Sequence, residues 1–246
     1  AAQQRVEQLR SQLDRDLLAG PSVAEGLGYR TLWQTRISMS PGATLRGADC
    51  TPEEVFVWDS NAIFTRLRPS CGDALWQAAS TSRVDRILSA LKDAARSGRA
   101  LAVLAIDIAG APSRVALLTD TQCMIFDASN GTFVDVQRFR RMANTPAAER
   151  PPFLIYGTQA GQVVWHDYII GSASHVSEQA GQFIQAPRLI GNVLVAASTG
   201  GAVAAYQAST GRLIWEQSLG ARIDARPAAN ERAVWVPSHD QYLSCL

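Results

Sequence analysis

The stretch Asn192-Val-Leu-Val-Ala-Ala-Ser-Thr-Gly-Gly-Ala-Val-Ala-Ala-Tyr-Gln-Ala-Ser-Thr-Gly-Arg-Leu-Ile-Trp-Glu-Gln217 reads as three short strands and two turns. Val193–Ala197 is apolar enough for a buried strand. Gly200-Gly201 reads as a hairpin turn with both residues free to take positive φ. Val203–Tyr206 is the return strand. Ser209-Thr210-Gly211 makes the next turn, and Leu213–Trp215 opens a third strand. A meander this small cannot bury both of its faces alone, so it needs copies of itself.

The chain supplies them. Shifted back by 40 residues, Gly211 falls on Gly171, Val203 on Val163 and Val195 on Ile155. Shifted by 80, Gly211 falls on Gly131 and Tyr206 on Phe126. Shifted by 139, Gly211 and Trp215 fall on Gly72 and Trp76; shifted forward by 39, Val195 falls on Val234. A strand–turn–strand unit recurring every 40 or so residues is the sequence mark of propeller blades. The expected fold is all-β: a five-bladed β-propeller of four-stranded antiparallel blades. Its repeats run over Gly42–Ala78, Leu101–Phe139, Phe153–Glu178, Phe183–Leu219 and Arg222–Leu246. Thr31–Ile37 aligns with Leu213–Leu219, Trp33 on Trp215. It is therefore expected to pair with Gln241–Leu246 and close the ring, removing exposed strand edges.

Two helices flank or interrupt the repeats. Val6, Leu9, Leu13 and Leu17 recur at helical spacing, predicting a helix over 2–18 that Gly20-Pro21 ends. Residues 1–30 are thus a helix and linker, and 31–246 the propeller. The interval from Gly72 to Gly131 exceeds the repeat, and residues 82–98 fill it with a helical pattern of Val84, Ile87, Leu88 and Leu91. Met142–Pro152 reads as a linker. Pro187 and Pro227 each precede a buried strand.

Composition narrows the function. The 246 residues carry 23 basic and 22 acidic side chains, a net charge of +1. That balance argues against nucleic acid as a partner. No apolar run reaches the roughly 18–20 residues of a membrane helix. Arg138-Phe-Arg-Arg141 is the most basic spot and reads as a solvated strand end.

Of four cysteines, Cys123 and Cys245 lie in predicted strands and read as small buried hydrophobes. Cys50 and Cys71 flank turns of one repeat, on connections that share a face of the disc. A Cys50–Cys71 disulfide is expected, although the intervening strands require the loops to lean inward. The bridge would mark an oxidising compartment; the alternative is two free thiols in a cytoplasmic protein. The chain starts at Ala1 without Met, which reads as a processed or trimmed product. A periplasmic or secreted location is expected, with the signal peptide removed.

The pattern Ala208-Ser-Thr-Gly-Arg-Leu-Ile-Trp215, with Ala128-Ser-Asn-Gly131 and Pro69-Ser-Cys-Gly-Asp-Ala-Leu-Trp76, resembles the quinoprotein (PQQ-like) β-propeller repeat. The resemblance spans about residues 31–246. It implies that Gly72, Gly131, Gly171 and Gly211 turn the chain into the outer strand. It also implies that Trp33, Trp76 and Trp215 pack between blades. No tryptophan follows Gly171 at the matching place, and Asp135 stands where one would follow Gly131. Quinone-dependent members hold their cofactor with adjacent cysteines, calcium and an Asp. This chain has no adjacent cysteines, so no cofactor, metal or catalytic residue is expected. The non-catalytic branch includes an envelope lipoprotein that scaffolds outer-membrane protein assembly. It implies a protein-interaction scaffold whose partner is another protein, in a cell-envelope or membrane-associated complex.

The alternative is a propeller enzyme, glycosidase-like or quinone-dependent, with carboxylates in the central channel. Its candidates are Asp59, Asp107, Asp120, Asp224 and Asp240, with the pairs His166-Asp167 and His239-Asp240. Asp59, Asp120 and Asp240 share a turn phase, which fits ordinary hairpin chemistry. His166 stands at the phase of Tyr206 and reads as a packed strand histidine.

Overall fold

In this computed structural model, the described residues are 7–8, 11–12, 14–15, 20–30, 32–39, 41–50, 54–61, 63–79, 100–106, 108 and 113–246. Five antiparallel sheets follow one another along the chain. The first holds β1 (Leu45–Cys50), β2 (Val55–Asp59), β3 (Ile63–Leu67) and β4 (Ala74–Ala79). The second holds β5 (Ala100–Ile106), β6 (Arg114–Thr119), β7 (Gln122–Asp127) and β8 (Phe133–Arg138). The third holds β9 (Ala148–Arg150), β10 (Phe153–Gly157), β11 (Gln162–Asp167) and β12 (Ser172–Glu178). The fourth holds β13 (Arg188–Ile190), β14 (Val193–Ala197), β15 (Ala202–Gln207) and β16 (Leu213–Ser218). The fifth has three strands: β17 (Ala228–Ala229), β18 (Val234–Pro237) and β19 (Leu243–Cys245). Each sheet is a propeller blade whose strands pair in chain order.

The middle strands are buried because their alternate residues face two neighbours, one blade on each side. Four core clusters result. Phe56, Trp58 and Phe64 of the first blade meet Val115, Leu117 and Phe126 of the second. Ala116, Leu118 and Ile125 of the second meet Leu154, Tyr156 and Val164 of the third. Ile155, Val163 and Trp165 then meet Leu194, Ala204 and Tyr206. Finally Val195, Val203 and Ala205 meet Val234 and Val236. The unbroken apolar runs of β14 and β15 follow from this two-sided burial.

Several expectations need correction. Among the described residues, 32–39 form no strand and the fifth sheet stops at three, so the closing pair is not seen. The Ala148–Arg150 part of the expected linker is the inner strand of the third blade. It was missed because three residues are too few to show alternation. Gly20-Pro21 does not simply end a helix. The described residues 7–8, 11–12 and 14–15 are helical, and a second helix, α1 (Pro21–Gly26), begins at the proline. Proline suits a first helical turn, where its missing N–H costs nothing. The Asp14 carboxylate accepts from the Ser22 backbone N–H at 2.8 Å, serving an otherwise unpaired helix N–H. The 82–98 helix and Asp107 lie outside the described residues.

In the turn between β14 and β15, only Gly201 has positive φ, at 83°. Gly200 is needed for another reason: a Cβ there would strike the Ala180 carbonyl of the preceding blade connection. The expected Cys50–Cys71 disulfide is also not seen: all four cysteines are free. Cys50 is the last residue of β1 and pairs with Val55, so it has no loop slack. Two strands separate it from β4, and the Cys71 thiol instead donates to Asp73 Oδ2 at 3.1 Å. Cys123 is buried, which pushes its thiol pKa up to about 12, with Asp135 adding to the shift. Cys245 is exposed rather than buried.

Candidate functional site

The most ordered polar constellation lies between blades. Gly72, Gly131, Gly171 and Gly211 all have φ between +72° and +78°, turning the chain into the outer strand. In each case the carbonyl three residues earlier accepts a side-chain N–H from the unit before it. Trp33 Nε1–H donates to Pro69 O at 2.6 Å, and Trp76 Nε1–H to Ala128 O at 2.8 Å. Gln137 Nε2–H donates to Tyr168 O at 2.9 Å, and Trp165 Nε1–H to Ala208 O at 2.9 Å. Arg66 adds a second donor to Ala128 O while its other amino group holds Glu54 at 2.7 Å. The donor's side chain, or a ring beside it, also lies over the glycine. A Cβ on Gly72 would meet the Trp33 ring at 2.5 Å and one on Gly131 the Trp76 ring at 2.7 Å. At Gly211 the obstructing ring is His175, stacked edge-on against Trp165.

Sequence reading placed the tryptophans but missed Gln137. The site after Gly131 holds Asp135, and the bridging falls two residues later on the same strand face. Gln137 is buried and its carbonyl oxygen accepts from His166 Nε2 at 2.8 Å, which fixes the histidine tautomer. Burial drives His166 down to about 4, against a smaller opposing pull from Asp167. Trp215 packs into the core of the fourth and fifth blades. Its N–H has no hydrogen-bond partner among the described residues.

The candidate catalytic groups are scattered. Asp59 Oδ1 accepts from the backbone N–H groups of Asn61 and Ile63, at 2.9 and 3.0 Å. Asp167 does the same for Ile169 and Ile170, so it serves a turn and does not pair with His166. Asp120 joins a loop through its backbone carbonyl, which accepts from Ala143. Asp240 accepts from the Ser238 hydroxyl, which with the Tyr242 N–H holds its carboxyl below the usual range. The sequence neighbours His239 and Asp240 do not pair: His239 Nε2 sits 2.8 Å from Asp224 Oδ2. Both Asp224 oxygens also share the single Nε–H of Arg222, at 2.7 and 2.8 Å, and this contact lowers the Asp224 pKa. Among the described residues no three His, Cys, Asp or Glu side chains gather where they could hold a metal.

Residues 154–246 match the family model described as outer membrane protein assembly factor BamB. These residues run from β10 of the third blade to the end of the fifth. Over these residues the chain resembles PQQ-like β-propeller repeat proteins. The structure of BamB from Moraxella catarrhalis superposes over 81% of this chain and 62% of its own, at 18% identity and a TM-score of 0.52. The designed Ika8 protein matches 89% of the propeller chain and 62% of itself, at 12% identity and a TM-score of 0.65. Saccharomyces cerevisiae Sqt1 matches 78% of the chain and 54% of itself, at 12% identity and a TM-score of 0.55. The PQQ-like propeller therefore spans less than two thirds of the length of each of these relatives. At these identities the likeness speaks for fold. No curated protein matches the chain by sequence. No described helix is long and apolar enough to cross a membrane.

Proposed function

We propose that this PQQ-like propeller is a non-catalytic protein-interaction scaffold in a cell-envelope assembly, and that it works in the periplasm. The observation that carries the reading is the match of residues 154–246, from β10 of the third blade to the end of the fifth, to an outer-membrane assembly factor. The polar groups agree with it. Asp59, Asp167, Asp224 and Asp240 are engaged in turns or local ion pairs, and His166 is spent on a blade junction. The structure gives the location no help from a disulfide, so the reading stands on the family match.

The experiment is deletion of the gene in its own host, with outer-membrane protein levels read by quantitative mass spectrometry. Falling levels that the wild-type chain restores support the scaffold. Unchanged levels, together with fractionation of the chain into the cytoplasm, would overturn it.

A further inference from the structure

Among the described residues, every four-stranded blade ends in an outer strand that pairs with no further strand: β4, β8, β12 and β16. Such edges are normally guarded by charge or shortness. β12 is guarded by polarity, since Ser172–Glu178 presents no large exposed apolar side chain. β4 exposes Leu75 alone, and β16 follows its exposed Leu213 and Ile214 with Glu216. β8 is different. Phe133, Val134 and Val136 are 54%, 45% and 42% exposed on one six-residue strand. Gln137 points into the third blade, so Val136 and Arg138 share the opposite face, while Val134 sits at the bulge where the β7–β8 register shifts.

The edge also has a charge signature. Arg138, Arg140 and Arg141 are exposed at its C-terminal end and have no ion pair among the described residues. The one acid on the strand, Asp135, is engaged within it, accepting from the outward Val136 N–H at 2.8 Å, which an added strand would have to displace, and from Gln137 Nε2 at 3.0 Å. It neutralises none of the three arginines.

We infer that β8 is a strand-addition site for an extended segment of a partner protein, apolar at alternate positions and acidic beyond one end. Backbone pairing would supply affinity, and the exposed apolar side chains and the arginines would select the sequence and its direction. The inference rests on the scaffold reading and names the surface that would do the work.

The test uses a fluorescent peptide of about ten residues alternating Val and Thr and ending in paired aspartates. Its anisotropy is titrated with the whole chain. Expected is saturable binding that weakens about tenfold when the aspartates become lysines or in the Arg140→Glu/Arg141→Glu variant. Val136→Asp, a substitution at an exposed site, should remove binding while leaving the melting curve in place. A central proline in the peptide should do the same by deleting an N–H. Binding indifferent to all of these changes, no saturable binding, or a second copy of the chain occupying β8 would overturn the inference. If outer-membrane protein levels still depend on the chain while the peptide fails to bind, β8 is wrong and the scaffold stands; unchanged levels together with a cytoplasmic chain sink the scaffold whatever the peptide does.

Discussion

At Gly211 a single hydrogen atom in place of a side chain does two jobs. It permits φ of +74° and leaves room for the His175 ring of the preceding blade. Gly211→Ala should therefore cost roughly 1–3 kcal/mol or more, since backbone strain and ring displacement add. Urea unfolding should show the midpoint fall at unchanged slope. Gly220→Ala is the control: its φ is +72° but nothing lies within 4 Å of the added Cβ, so it should cost less. His166 makes a different residue-level prediction. Its folded pKa of about 4 lies below the ordinary 6.5, so between these values the unfolded chain binds more protons. Its share of stability is then full above pH 6.5 and is lost as pH falls towards 4, by about 3 kcal/mol at most. Replacing His166 with Gln should flatten that part of the stability–pH curve, measured by thermal melts across the window.

At the level of elements, the first four blades share one repeated polar contact besides their apolar cores, a side-chain N–H reaching the carbonyl before a turn glycine. Gln137→Leu would leave the buried Tyr168 carbonyl and His166 Nε2 without their partners. Leaving such groups dry costs about 1–3 kcal/mol each. Amide exchange should rise at β8 and β11 in that variant before it rises at β15. The same contact explains what was legible in the chain. Tryptophans and glycines announce themselves by type and phase, so Trp33, Trp76, Gly72 and Gly211 could be found at once. Gln137 could not, because a glutamine two residues off phase carries no mark until the sheet shows which face it is on. The middle strands were readable from apolar runs that two-sided burial demands. The inner strands β9, β13 and β17, of three, three and two residues, are too short to carry a period. Turn aspartates were recognised by phase, but the Asp224–His239 contact joins residues 15 positions apart that only the folded loop brings together.

For the whole molecule, the succession of cores makes stability a chain of neighbour interactions, as in other repeat proteins. Each of the four cores joins consecutive blades, and among the described residues none joins the fifth blade to the first. Damage at one end should then stay there. Removing residues 1–39 takes away Trp33 and uncovers Gly72. Hydrogen exchange should show lost protection in β1–β4, with β10–β15 unchanged. Uniform loss across all five blades would point instead to a cooperative closed ring.

At each of the four glycine turns the acceptor is a main-chain oxygen, which mutation cannot remove, whereas the donor is a side chain that mutation can. Indole, amide and guanidinium have each taken the part at one junction or another. The chemistry of the link can therefore drift while its geometry stays put. One blade's outer strand can change its lettering without any answering change in the next. This asymmetry gives a repeat array tolerance for divergence: its units come to look unlike one another along the chain yet still stack in the same register.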